Sequence, residues 1–293
     1  MHEPSESSTL RLNFPLWQGG NRPEYHFGAQ LLAWLAPTAI GPVETVPITE
    51  PGPGESLGLE KGISGRTVVL RHLREARKAI EKHRPTRILT LGGDCLVDLP
   101  PIAYLNSRYD GKLGVLWIDA HPDVTTAEYY PNAHAHVLGA LLGRGDADLI
   151  GEVETPLTPS RVMYAGLDMW APNEDEVIRG LGLRCAGAAS LAETSLPVLN
   201  WIADQRIEYL AVHFDPDVLD PSAFRPLLFN KPRLPPDALS DVPRGRMQAD
   251  QVVRLLRDVA RVCDVVGLAI TEHMPWDTIA MREMLRQLPL MGG

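Results

Sequence analysis

Asp119, His121 and Asp123 stand at alternate positions in Asp119-Ala120-His121-Pro122-Asp123, directly after the apolar run LGVLWI. Alternate side chains of an extended segment point the same way. The three therefore offer oxygen, nitrogen and oxygen on one side, a donor set suited to Mn, Fe, Co, Ni or Zn more than to Ca. His213-Phe214-Asp215-Pro216-Asp217 repeats the pattern after IEYLAV, with Asp215 and Asp217 as its acids. Gly92-Gly93-Asp94-Cys95 follows ILTL, and Thr271-Glu272-His273 follows VVGLAI. Carboxylates at the ends of buried strands are costly unless a charge offsets them. A bound cation does so for all the clusters at once. His121 and the four aspartates are too many for one divalent ion with an open position, and bridging carboxylates between two ions account for the excess. Two adjacent ions lower the pKa of a shared water and generate hydroxide at neutral pH. Any one cluster could instead be helix caps and turn residues, where Asp is common; the combined set favours a metal site and a hydrolase.

The elements that must position these residues alternate in type. RILTLGG, LGVLWID, RVMYAGLD, IEYLAVHFD and VVGLAITE predict short buried strands. Arg66 to His83 predicts an amphipathic helix, and Leu191 to Gln205, Gln248 to Val262 and Asp277 to Leu288 predict further helices. Strands separated by helices imply crossover connections and a mostly parallel sheet. Ligands of such sheets bind at the carboxyl ends of the strands, where every motif above falls. No repeat or linker divides the chain, so residues 1–293 are expected to form one α/β domain. The Pro-rich stretch Pro221 to Gly245 predicts a loop over the site or a surface excursion.

Lys plus Arg number 28 against 37 Asp plus Glu, a formal charge of −9. That balance argues against a nucleic-acid partner and suits a small, cationic substrate. The three cysteines, Cys95, Cys185 and Cys263, are odd in number and widely spaced, so no disulfide framework is expected. The amino-terminal stretch does not read as a signal peptide, and no apolar run approaches a membrane span. A cytoplasmic protein without a membrane partner is expected.

Taken in order, GGDC, DAHPD, HFDPDVLDP and ITEHMP resemble the ureohydrolase family of arginases and agmatinases, from about Gly62 to Pro275. The resemblance implies a three-layer α/β/α fold and two Mn ions bridged by hydroxide, which attacks a guanidino carbon and releases urea from a small guanidino or amidine substrate. It implies that Asp119 and Asp215 bridge the ions, Asp123 binds the first, and His121 and Asp217 bind the second. Glu272 matches the carboxylate that holds the guanidinium, and His134 matches the histidine that shuttles protons. A homo-oligomer, trimer or hexamer, is also implied.

Two positions depart from the family pattern. The first motif usually ends GGDH, with that His on the first metal, and here the position is Cys95. A thiolate ligand would favour softer ions, so zinc, nickel or cobalt stand beside manganese; otherwise Cys95 is a small buried residue. After Asp123, residues 124–133 lack the Thr-Ser-Ser-Gly-Asn pattern with which arginases read an amino acid. Thr125 and Tyr129 are taken as substrate-binding candidates there, and Glu128, Tyr129 and Tyr130 as an acidic, aromatic rim that disfavours L-arginine. His213 and His273 are expected to pack in the core or on the opposite face, Asp94 and Asp220 to support turns, and Cys185 and Cys263 to pack inertly. Two alternatives remain: a metal-dependent amidase on another C–N substrate, and a degenerate member that binds ligand or partners an active homologue.

Overall fold

The apolar runs before the acidic motifs fold as strands, each leading into helix or loop. The computed structural model describes residues 8–52, 55–235, 237–276, 282 and 284–290. Its strands are β1 (Thr9–Phe14), β2 (Val43–Thr45), β3 (Leu59–Glu60), β4 (Ile63–Ser64), β5 (Arg87–Gly92), β6 (Gly114–Ile118), β7 (Val162–Ala165), β8 (Arg184–Ala186), β9 (Tyr209–Phe214) and β10 (Asp264–Ile270). Its α-helices are α1 (Pro23–Leu35), α2 (Arg66–His83), α3 (Leu99–Arg108), α4 (Val137–Leu141), α5 (Ala147–Ile150), α6 (Pro172–Leu181), α7 (Leu196–Gln205) and α8 (Ala249–Val259). Eight strands form one sheet in the order β2-β1-β5-β10-β9-β6-β7-β8, and β3 and β4 form a small hairpin. Pairing within the large sheet is parallel, as crossover helices require.

The sheet is the middle of three layers. Along β6, Val115 and Trp117 join an apolar cluster with Val69 of α2, Ile102 of α3 and Val137 of α4. Leu116 and Ile118 point the other way, into a cluster with Leu32 of α1, Trp201 of α7 and Leu256 of α8. Burial on both faces is why these strands read as unbroken apolar runs. No described helix is long and apolar enough to cross a membrane.

Helix α2 has the predicted bounds, and α8 lies within them. Helix α7 starts at Leu196, later than expected, because Pro197 is accommodated only in a first helical turn; residues 188–191 form a separate 3-10 turn. Half of the helix expected at Asp277 to Leu288, residues 277–281 and 283, falls outside the described residues. Strand β1 was not among the expected strands, yet its Leu10, Leu12 and Phe14 are fully buried and pair beside β5. Cys185 is exposed on the edge strand β8, not packed inside as expected, because an edge strand has a neighbour on one side only.

Four neighbouring strands, β5, β10, β9 and β6, carry the motifs. Their register aligns Leu91 with Ile270, Ile270 with Phe214, and Phe214 with Ile118. The next residues, Gly92, Thr271, Asp215 and Asp119, therefore leave the sheet at one level.

Candidate metal centre and active site

Three backbone devices hold the strand-end loops together. Gly93 lies so close to the β1 exit that a Cβ there would sit 1.6 Å from the Leu16 carbonyl oxygen, which only glycine permits. Buried Asp94 accepts from the Gly20 N–H at 2.9 Å and the Leu96 N–H at 3.1 Å, the supporting role expected of it. Burial pushes its carboxyl up to about 8. The Glu272 N–H donates to the Gly93 carbonyl at 2.6 Å. Asp123 and Glu272 have φ of 51° and 47°, left-handed values that a non-glycine residue adopts only when its surroundings compel it.

The side chains converge. Donor atoms of Asp119, His121 and Asp217 lie within 4.8 Å of one another, as do those of Cys95, Asp119, Asp123 and His213, and those of Cys95, Asp215 and Glu272. Asp119 belongs to two of these groups, and its Oδ1 accepts from the His121 N–H at 2.7 Å. Asp215 groups with Cys95 and Glu272, and its Oδ1 accepts from the Asp217 N–H at 2.7 Å. His121 Nδ1 lies 2.9 Å from Asp217 Oδ2. Cys95 Sγ, buried, sits 3.2 Å from Asp215 Oδ2 and 3.5 Å from Glu272 Oε1.

The electrostatics suit a bound cation. Burial pushes Asp123 and Asp215 well above the usual carboxylate range, and neighbouring Asp119 and Asp217 push each further. Burial raises Asp217 to about 7 against the pull of His121. Burial, with Glu272 and Asp123 beside it, holds the Cys95 thiol well above its ordinary value. Asp119 alone is lowered: burial opposes, and His121 and His213 prevail. Among the described residues, His121 Nε2, Asp123 Oδ2 and His213 Nε2 are buried without a hydrogen-bond partner. Orphaned donor atoms among mutually repelling carboxylates fit divalent ions.

A cavity of about 350 Å³ opens above this floor. Of the sequence candidates, Cys95, His121, Asp123, Thr125, Tyr129, His134, Asp215, Asp217 and Glu272 line it, as does Tyr130. Asp119 lies beneath, fully buried. His134 Nδ1 is 3.1 Å from the Gly19 carbonyl, which can only accept, so Nδ1 carries the proton and Nε2 is left basic. Burial lowers the His134 pKa. The Thr125 hydroxyl accepts from Asn173 Nδ2 at 3.0 Å. The Pro-rich segment supplies Leu227, Phe229 and Val242 to the wall, so it covers the site rather than leaving it.

Several placements depart from the sequence reading. Glu128 is exposed and does not line the cavity, so the rim is not acidic on its account. His213 is buried in the core and stacked on Trp117, one of the two placements expected, but it is not on the opposite face: it is two residues from Asp215, hence on the same face, and its Nε2 lies 3.5 Å from Asp119 Oδ2. His273 does turn away, onto the Gly28 carbonyl at 3.1 Å. His136 ties down the rim through the Tyr130 carbonyl at 2.8 Å.

Tyr25 and Arg22 were missed. The Tyr25 hydroxyl donates to Glu272 Oε2 at 2.5 Å, and Arg22 lines the cavity with no side-chain hydrogen bond or ion pair among the described residues. Both follow β1, in Asn21-Arg22-Pro23-Glu24-Tyr25, where Pro at a helix start is the only local signal.

A curated arginase of Bacillus caldovelox is 34% identical over 145 residues, 46% of this chain and 47% of that protein. The chain thus aligns with about half the length of that relative. The solved structure of Entamoeba histolytica arginase with L-ornithine superposes with a TM-score of 0.79 at 20% identity, over 97% of each chain. Formimidoylglutamase of Bacillus subtilis superposes with a TM-score of 0.70 at 14% identity, over 99% of this chain and 87% of that one. These likenesses establish the three-layer fold. The sequence profile of the arginase family matches residues 25–226, more than half of the chain, and on that match the chain belongs to the arginase family.

Proposed function

We propose that this chain is a binuclear-metal hydrolase of linear amidines, with a guanidino compound as substrate and urea as a product. The observation that carries this reading is the overlap of the donor groups: Asp119 is common to two and Cys95 to two, on the floor of a cavity that Glu272 enters. Cys95 and Asp123 would help hold one ion and His121 and Asp217 the other, with Asp119 and Asp215 shared between them. Two divalent ions, when bound, would acidify a shared water and supply the nucleophile. Manganese follows from the family; Cys95 makes zinc, cobalt or nickel competitive.

The chain's own residues do the rest. Glu272, oriented by the Tyr25 hydroxyl, pairs with the planar cation of the substrate. His134, neutral near pH 7 because burial lowers its pKa, takes a proton at Nε2 and delivers it to the leaving amine. The wall built from Leu227, Phe229 and Val242 limits water. Thr125 and Tyr129 contact the distal part of the substrate.

Arg22 refines the substrate. A guanidinium in the cavity wall without a partner among the described residues suits a carboxylate, so the favoured substrate carries a cation at the metal end and an anion beyond. A guanidino acid satisfies this, and so does a formimidoyl amino acid of the kind named for the Bacillus subtilis neighbour. The test is product analysis on metal-loaded protein across guanidino and formimidoyl acids. Urea supports the proposal; formamide or ammonia alone identifies a different amidine hydrolase or an amidase. Two bound ions without turnover of any of these substrates would leave a ligand-binding member.

A further inference from the structure

His213 has no counterpart among the assigned ligands, yet it is prepared as one. It lies in β9, two residues before Asp215, and is fully buried. Its Nδ1 is 2.7 Å from Asp98 Oδ2, and Asp98 is also buried. The ring stacks on Trp117 at 3.6 Å between centroids, with planes 6° apart. With Nδ1 held by the Asp98 carboxylate, Nε2 is the ring nitrogen available to an ion. That nitrogen has no hydrogen-bond partner among the described residues and faces Asp119 Oδ2 at 3.5 Å. A carboxylate that fixes one ring nitrogen while the other aims at a donor cluster is the arrangement around metal-bound histidines. Packing alone accounts for the stacked ring but not for an orphaned Nε2 beside two carboxylates.

We propose that His213 Nε2 is a ligand of the ion held by Cys95, Asp119 and Asp123, with Asp98 as the residue that positions it. The four donors already lie within 4.8 Å of one another. With Asp215 shared as assigned above, the site would then offer sulfur, nitrogen and three carboxylates. Cys95 occupies the position at which the family motif places a histidine, and β9, two strands along the sheet from β5, would restore an imidazole. This donor set favours Zn(II) or Co(II) over Mn(II). The inference rests on the metal-centre reading above.

The experiment is Co(II) titration of the full chain against a chromophoric chelator, with the ligand-field spectrum recorded at each step. Wild type is compared with His213→Gln and Asp98→Asn, and the apo forms are checked by near-ultraviolet circular dichroism. His213→Gln should weaken one ion at least about 100-fold and shift the bands of that ion, leaving the other ion's affinity within about threefold. Asp98→Asn should weaken the same ion by about 10-fold, the effect of losing an orienting partner. Unchanged affinities and spectrum in His213→Gln overturn the proposal. If that variant does not fold, Asp98→Asn decides, and unchanged affinity and bands there overturn it. Failure of wild type to bind any ion removes the metal-centre reading itself; two ions in wild type with no response to either substitution removes only the role of His213.

Discussion

Tyr25→Phe isolates one hydrogen bond and should reveal what holds the substrate cation. The ring is buried against Trp17 and Met274, and phenylalanine preserves that packing. What is lost is the O–H that donates to Glu272 Oε2 at 2.5 Å. Burial, then the Glu272 charge, raises the phenol well above its ordinary value, so it stays a donor across the working pH range. A hydrogen bond to a charged group contributes about 1.5–3 kcal/mol. Glu272 is only partly buried, and water from the cavity can replace the donor, so the loss of stability should be near 1 kcal/mol. Orientation is not replaced: Glu272 sits at φ 47° and is fixed on the backbone side by Gly93. Because Glu272 pairs with the cation in the ground state and the transition state alike, the loss should appear mainly in KM. We expect KM to rise about 10-fold, or about 1.4 kcal/mol, with kcat within about 3-fold and metal content unchanged. Initial rates of urea release at saturating metal measure it. An unchanged KM, or loss of an ion, refutes the assignment of Tyr25 as the residue that orients Glu272.

Gly28→Ala should be damaging, because its Cβ would lie 1.8 Å from the backbone oxygen of His273, next to Glu272. Overpacking of this kind costs about 1–3 kcal/mol, so the melting temperature should fall by several degrees and KM should rise; an unchanged melting curve contradicts the packing described. His72 is buried, accepts from the Thr49 N–H at 3.1 Å, and has its pKa lowered to about 4 by burial. The unfolded chain takes up that proton near pH 6.5 and the folded chain only near 4, so stability is full above about 6.5 and declines as pH falls toward 4. Denaturant unfolding at several pH values should show this slope, reduced in His72→Gln; an equal slope in that variant assigns the acid sensitivity elsewhere. Arg22→Gln should raise KM for a guanidino acid about 10-fold more than for the matching decarboxylated amine, and equal changes for the two would remove Arg22 from the site.

The sheet and its active edge were legible because burial on both faces turns β5, β6, β9 and β10 into apolar runs, and acids at the ends of such runs are conspicuous. Cys95, His121, Asp123, Asp215, Asp217 and Glu272 come together as their strand-end positions imply. Tyr25 and Arg22 were illegible because they come from the start of α1, whose approach to the site depends on the packing of Gly28 against the Thr271–Met274 segment. The opposite-face alternative for His213 failed because His213 and Asp215 are two residues apart and so share a face. Its partner Asp98 lies in the 3-10 turn after Cys95, where nothing local distinguishes it from a cap.

The central claim is a two-ion centre that shares Asp119, and elemental analysis of the reconstituted full chain tests it most directly. Wild type should hold two divalent ions per chain after excess metal is removed. Asp119→Ala should hold none, since its carboxylate belongs to two of the donor groups. One ion or fewer in wild type, or a single ion retained in Asp119→Ala, would contradict the account.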